Sequence, residues 1–196
     1  MNRVIFLLEE LSMKKFLEGF LPRFMPDLEF LCVTHEGKQD LEKSIPRKLR
    51  AFRDNRVVII RDNDGADCLA VKKRLSNICK KEKRSDVLIR IACQTLEAWY
   101  LGAWDVLSDV YDYPKLARLN RKAKYRDPDH LSRPSFELGA LVPEFRKIDG
   151  ARRMGMAMPV EKTKNCSRSF QVFMEGMERV VRKTGDRKHI KIMRSN

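Results

Sequence analysis

A chain of 196 residues with 43% apolar and 35% charged side chains is globular, which excludes the disordered and fibrous classes. It is long enough for one α/β domain with an appended subdomain, or for two small domains. A formal charge of +14, from 41 basic and 27 acidic residues, calls for a polyanionic partner, with nucleic acid ahead of a membrane surface.

No apolar run reaches membrane-span length and Met1 to Leu8 has no cleavage-site pattern, so a cytoplasmic protein is expected. The five cysteines are scattered without a CxxC pair. They read as reduced core thiols, not as a disulfide scaffold or a structural zinc site.

Arg3 to Leu8 is a strand-length apolar run that ends in Glu9 and Glu10. Ser12 is placed to cap a helix whose face is Phe16, Leu17, Phe20 and Leu21, closed by Pro22 and Pro26. Leu28 to Thr34 alternates as a second strand and runs into His35-Glu36-Gly37-Lys38, after which Asp40 to Phe52 reads as a helix that Pro46 kinks or splits. Val57 to Ile60 has the β-branched composition of a buried parallel strand, and it breaks at once into Arg61-Asp62-Asn63-Asp64-Gly65. A helix over about 66–81 and a strand over Val87 to Cys93 complete a β-α-β-α-β-α-β order. That order predicts a mostly parallel sheet flanked by helices, with the acids on one edge.

Gln94 to Val110 then reads as one helix presenting Leu96, Trp99, Tyr100 and Leu107, with Glu97 in its first turn. Lys115 to Pro134 is polar, basic and broken by prolines, and is expected as a surface connection. Amphipathic helices follow near 135–147 and 167–183, the second with Phe170, Phe173, Met174, Met177 and Val181 on one core face. Arg187 to Asn196 is a basic end expected to fray.

Asp62 and Asp64, two apart at a strand end, project the same way, so their oxygens are placed to share a hard cation such as Mg2+. The same stretch also reads as a polar turn. A calcium loop is excluded, because Lys73 stands where its twelfth position needs Glu. Glu9 joins the pair if the first and third strands are neighbours, and Glu97 is placed to complete the set from the fourth. Lys38, Arg61 and Arg90 lie at or beside strand ends, where a cation holds a phosphate or offsets acids. His35 is a candidate base, although a lone His is more often structural. Arg118 to Arg133 surrounds Tyr125 with cations, Arg121, Lys122 and Lys124 among them. This suits phosphate contact with one stacking ring, and also a solvated loop.

The strand ending Leu7-Leu8-Glu9-Glu10-Leu11-Ser12 and the later Asp62 to Gly65 resemble the Toprim domain of topoisomerases, primases and overcoming-lysogenization-defect-type nucleases. Glu10 stands where that family usually has Gly. The resemblance implies a Toprim-like α/β domain over 1–110 with a basic, mainly helical extension over 111–196 packed on it. It also implies Mg2+ or Mn2+ held by Asp62 and Asp64, with Glu9 as ligand or acid/base. His35 to Leu41, Leu96 to Gly102 and Asn165 to Phe170 are similar to small uncharacterised bacterial proteins with a Toprim-like core, often encoded beside an ATPase. That likeness implies a place in bacterial defence with an ATPase partner. Glu36-Gly37-x-x-Asp40 matches the literal spelling of the family's glutamate motif, while chain order favours Glu9. Glu10, Glu36 and Asp67 are additional candidates.

The expected function is metal-dependent cleavage or nicking of DNA or RNA. The alternatives are a non-catalytic nucleic-acid-binding or effector subunit of an ATPase complex, and a haloacid-dehalogenase-like phosphatase. The phosphatase family has its Asp pair on the first strand with a following Thr, where Ala66 stands here.

Overall fold

In the computed structural model, residues 3–193 are described, with side chains over 3–182. Arg187 to Asn196, expected to fray, lies outside the residues whose side chains are described. Four strands, β1 (Val4–Leu8), β2 (Phe30–Thr34), β3 (Arg56–Asp62) and β4 (Leu88–Ala92), form one parallel sheet in the order β2-β1-β3-β4. Parallel neighbours need crossovers of helix length, supplied by α1 (Leu11–Phe24), α2 (Lys38–Ala51) and α3 (Cys68–Lys81). The inner strands β1 and β3 are buried along almost their whole length, whereas β2 is half-exposed at one edge. Burial on both faces is why the first and third strands read as continuous apolar runs.

Strand periodicity of two divides the core into two layers. Ile5, Leu7, Val57, Ile59, Ile89 and Ile91 pack under α2 and α3. Val4, Phe6, Leu8, Val58, Ile60 and Ala92 face the larger cluster, built from α1 and the second half of the chain. That half contains α4 (Leu96–Leu101), α5 (Trp104–Tyr111), α6 (Pro134–Leu141), α7 (Lys147–Ala157) and α8 (Arg168–Met193). At its centre the Trp99 ring lies 5.1 Å from Phe173, 5.2 Å from Phe170 and 5.7 Å from Phe16, and its indole N–H donates to Ser169 Oγ at 2.8 Å. Aromatic pairs at such spacings add to the area they bury.

Several local expectations are corrected. Ser12 does not cap α1; it sits inside the first turn and donates to the Glu10 carboxylate. Pro22 does not close α1, which runs on to Phe24, and Pro46 does not split α2, which is continuous over Lys38–Ala51. The helix expected over 94–110 stops at Gly102 and restarts at Trp104. Residues 165–167 cross there: the Cys166 amide donates to the Gly102 carbonyl at 2.9 Å, and a Cβ on Gly102 would meet Asn165 and Ser167.

The stretch 115–134 is not a plain surface connection, since it folds into three short 3-10 turns that bury Leu116, Tyr125, Asp129 and Leu131. Asp129 accepts from Ser167 Oγ at 2.7 Å and from the Ser169 amide at 2.6 Å, closing the start of α8. The helix expected over 135–147 ends at Leu141, and α7 went unpredicted because its packed face is small: Gly150, Ala151, Met154 and Gly155. On α8 the buried residue is Val180 at 8% exposure, not Val181 at 37%. Cys166 is exposed, unlike the core thiol expected. Among the described residues no helix is long and apolar enough to cross a membrane.

The closest helix crossing is α1 on α7, where a Cβ on Gly155 would press on the Phe16 carbonyl and one on Gly19 would lie 2.8 Å from the Gly155 carbonyl carbon. Gly155→Val is therefore expected to destabilise the fold by roughly 1–3 kcal/mol, since the obstacle is backbone and cannot swing away. Urea denaturation measures it, and an unchanged midpoint would refute the crossing.

Candidate active site

Pairing of Leu8 with Ile60 in the β1–β3 ladder sets Glu9 beside the end of β3. Glu9 Oε2 accepts from the Asp62 amide at 3.3 Å. Asp62 ends β3 on the same face as Ile60, so its carboxyl enters the larger core and is 9% exposed. Beyond it the chain turns sharply. Asp64 has φ 50° and Gly65 φ 78°, and the Asp64 amide donates to the Gln94 carbonyl at 3.1 Å. Such left-handed positions favour Gly and tolerate Asp. Asp64 is exposed and pairs with Lys38 Nζ at 2.9 Å.

Two further acids arrive from helix starts. Glu97, in the first turn of α4, is 1% exposed and accepts from Ser135 Oγ at 2.6 Å. Glu10, which precedes α1, pairs with Lys147 Nζ at 2.5 Å, joining positions 137 residues apart.

These acids press on one another. Burial first, then Glu10, Glu97, Glu9 and Asp64, holds the Asp62 carboxyl well above the usual carboxylate range. Burial and Asp64 raise Glu9, opposed by Arg61 and the Asp62 amide. For Lys147, burial works against the charge, but the Glu10 hydrogen bond and the fields of Glu10, Glu97 and Asp62 outweigh it, and the amine is raised. The Tyr100 hydroxyl is buried without a hydrogen-bond partner among the described residues, and burial with the fields of Glu97, Asp62 and Glu10 pushes its ionisation up.

Among the described residues no three His, Cys, Asp or Glu side chains converge as a ready-made metal site. The acids ring Asp62 without meeting at one point. Their chemistry, all carboxylate with an orphaned phenol beside them, fits a hard divalent cation and no soft one. Asp62, Asp64, Glu9 and Glu97 are the donors such an ion would draw on, and they would have to move together to share it.

Other candidates separate from this ring. Glu36 is exposed beyond β2, the strand outside β1, and its amide binds Asp40. Asp67 caps α3, accepting from the Ala70 amide at 2.6 Å. Arg61 has the opposite strand parity to Asp62 and is 2% exposed. It pairs with Glu42 at 2.5 Å and Glu9 at 3.7 Å, so it steadies acids and offers nothing to a phosphate.

Arg90 is likewise corrected. Lying two residues short of the strand end, it turns under α8 and donates to the Val172 carbonyl at 3.0 Å. Lys38 remains half-exposed. His35 is a tie and not a base, since its ring nitrogens contact the Leu8 carbonyl at 2.8 Å and Ser44 Oγ at 2.6 Å. Arg121 and Lys122 are exposed, while Lys124 pairs with Glu137 at 2.6 Å. Tyr125 is 8% exposed, packed on Trp104 with its hydroxyl on Glu137, so it cannot stack on a base as expected.

The sequence reading missed Lys147, Ser135 and Glu42. Nothing local marks them, because each acts across the fold on a partner that sequence alone does not supply.

A family model described as a domain of unknown function, DUF4276, matches residues 8–178. No curated protein matches the chain. Among solved structures, the C-terminal region of the OLD protein of Xanthomonas campestris pv. campestris is similar, with a TM-score of 0.53 and 14% identity. The match covers 95% of this chain and 98% of that one; at that identity the likeness is one of fold.

A carboxyl whose folded pKa lies above its unfolded value withdraws stability as pH rises from the ordinary carboxylate range through the folded pKa. Asp62 is such a group. Metal-free protein is expected to melt lower as pH rises through that window. Asp62→Asn should melt higher than wild type at neutral pH and converge with it at pH below the carboxylate range. Thermal melts in chelator at stepped pH measure this, and parallel curves would overturn it.

Proposed function

Since the chain belongs to the DUF4276 family, whose description names no activity, we propose from the site itself that the protein is a Toprim-like, Mg2+- or Mn2+-dependent nuclease that cleaves or nicks DNA or RNA. The observation that carries this reading is a buried aspartate, Asp62, ringed by Glu9, Glu10, Asp64 and Glu97 at the carboxyl edge of a parallel sheet. Charge of one sign gathered in a desolvated place is stable when a cation joins it. The net charge of +14 supports a polyanionic substrate. The fold likeness to the OLD C-terminal region adds support, because overcoming-lysogenization-defect-type nucleases are among the Toprim proteins that Glu9 and Asp62 to Gly65 resemble.

A bound divalent ion would supply Lewis-acid stabilisation of the scissile phosphate. The chain's own residues do the rest. Arg61 fixes Glu9, whose raised pKa suits a group that takes and returns a proton. Lys38 on Asp64 and Lys147 on Glu10 flank the acids, each about half-exposed, and their ammonium groups are placed to take phosphate oxygens as the nucleic-acid backbone arrives.

A second reading, a non-catalytic nucleic-acid-binding subunit working with an ATPase, is favoured by the acids ringing Asp62 without converging. Catalysis separates the two. Nuclease activity is expected to require Mg2+ or Mn2+, to stop with chelator, and to vanish in Asp62→Ala and Asp64→Ala proteins that still fold. At saturating substrate and metal, Glu9→Gln should lower kcat by about 10²-fold or more, while Glu36→Gln stays within a few fold. Chelator-resistant cleavage would sink the metal role, and the reverse ranking of the two glutamates would sink the site assignment.

A further inference from the structure

The outer edge of β4 opens into a cleft that the acid ring does not use. It holds about 540 Å3, a volume in the range of small-ligand sites. Its apolar lining is Ile89 and Ile91 of β4, Leu69 of α3 and Val172 of α8. Leu69 is 77% exposed, an apolar side chain left at the mouth with nothing over it among the described residues. The cleft's charged lining includes two exposed cations, Lys72 and Arg168, the latter paired with Glu175 at 3.2 Å, and Asp127, which pairs with His130 at 2.8 Å.

The cleft and the acids share a wall. Asn63 and Gln94 line the cleft. The same two residues hold the turn that carries Asp64, since the Gln94 amide donates to Asn63 Oδ1 and the Asp64 amide donates to the Gln94 carbonyl. The Asn63 side chain is spent on that turn, with its other end donating to the Ala66 carbonyl at 2.5 Å. The Gln94 side chain is nearly unspent: among the described residues its hydrogen bonding is a long 3.5 Å approach to the Asp129 carbonyl.

We propose that this cleft receives an unpaired nucleobase of the strand whose neighbouring phosphate lies at the acids, an inference that rests on the nucleic-acid reading of the site. The apolar side chains Leu69, Ile89, Ile91 and Val172 suit the faces of a base. The Gln94 amide can donate to and accept from its edge, and Lys72 and Arg168 suit the phosphates on either side. A base inside a duplex stack cannot reach a cleft at a sheet edge, so the substrate presents single strand or a flipped-out nucleotide there.

Fluorescence anisotropy with three labelled probes of equal length tests this: an oligothymidylate, an abasic strand with the same number of phosphates, and a blunt duplex, all in chelator to prevent turnover. Wild type is expected to bind oligothymidylate about tenfold tighter than the abasic strand, and tighter than the duplex. Val172→Trp, which fills the cleft, should reduce that ratio to about one with abasic affinity unchanged. Leu69→Ser, on an exposed side chain that folding does not need, should lower the ratio and serves if Val172→Trp does not fold.

Equal binding of the thymidylate and abasic strands by wild type would overturn the proposal, as would a ratio that neither substitution moves. Metal-dependent cleavage alongside equal binding would retire the cleft and leave the nuclease reading standing. Base discrimination without cleavage in Mg2+ or Mn2+ would keep the cleft and retire the nuclease.

Discussion

The rest of the structure is arranged around the cost of keeping a carboxylate out of water among other acids. Like charges repel strongly where water is excluded, and beside its own burial Asp62 feels four acidic neighbours, Glu10, Glu97, Glu9 and Asp64. The molecule meets this with counterparts from every side. Arg61 reaches through the far face of the sheet to Glu9 and Glu42, Lys38 closes on Asp64, Ser135 on Glu97, and Lys147 on Glu10. None of them neutralises Asp62 itself. The fixed cations hold the perimeter, and Asp62 at the centre is left to burial and its acidic neighbours, which raise its pKa.

This arrangement explains why the second half of the chain is joined to the sheet through one continuous core. Trp99, Phe170 and Phe173 interlock with Phe16 and Phe20 of α1. The same helices carry Glu97 and follow Glu10. A shift of α1 relative to α4 would change the distances among the acids, and aromatic packing of this density resists such shifts. The close crossing at Gly19 and Gly155 does the same for α7, whose first residue is Lys147. Packing here sets electrostatics.

How much of this was legible in the sequence depended on range. The sheet and the placing of Glu9, Asp62 and Asp64 at strand ends follow from strand-length apolar runs ending in acids, a pattern contained within a few residues, whereas the adjacency of β1 and β3 was only a condition there and is met by the order β2-β1-β3-β4. Of the two roles the strand-end cations had, Arg61 takes the one that offsets acids, Glu9 and Glu42, and Arg90 takes neither. Arg61 leaves the opposite sheet face from the Asp62 carboxyl and folds back onto the Asp62 carbonyl at 3.0 Å, and Arg90 lies two residues down β4. Tyr125 looked exposed because its neighbours are cationic, yet those neighbours point outward while the ring packs on Trp104. The break at Gly102 and the whole of α7 depend on contacts with Asn165 and Phe16, and no local pattern carries such information. Lys147 belongs to the same class.

The Lys147–Glu10 pair has a consequence for how the protein is made. A ribosome adding about 5–20 residues per second needs on the order of ten seconds to travel the 137 residues between them. During that interval the acid-bearing strands have emerged while the helix start that answers Glu10 does not yet exist. The nascent sheet therefore carries an incomplete perimeter of charge. The edge becomes whole only once Lys147 has been made, so a product interrupted before it would carry Glu9, Glu10 and Asp62 without the lysine that pairs with Glu10.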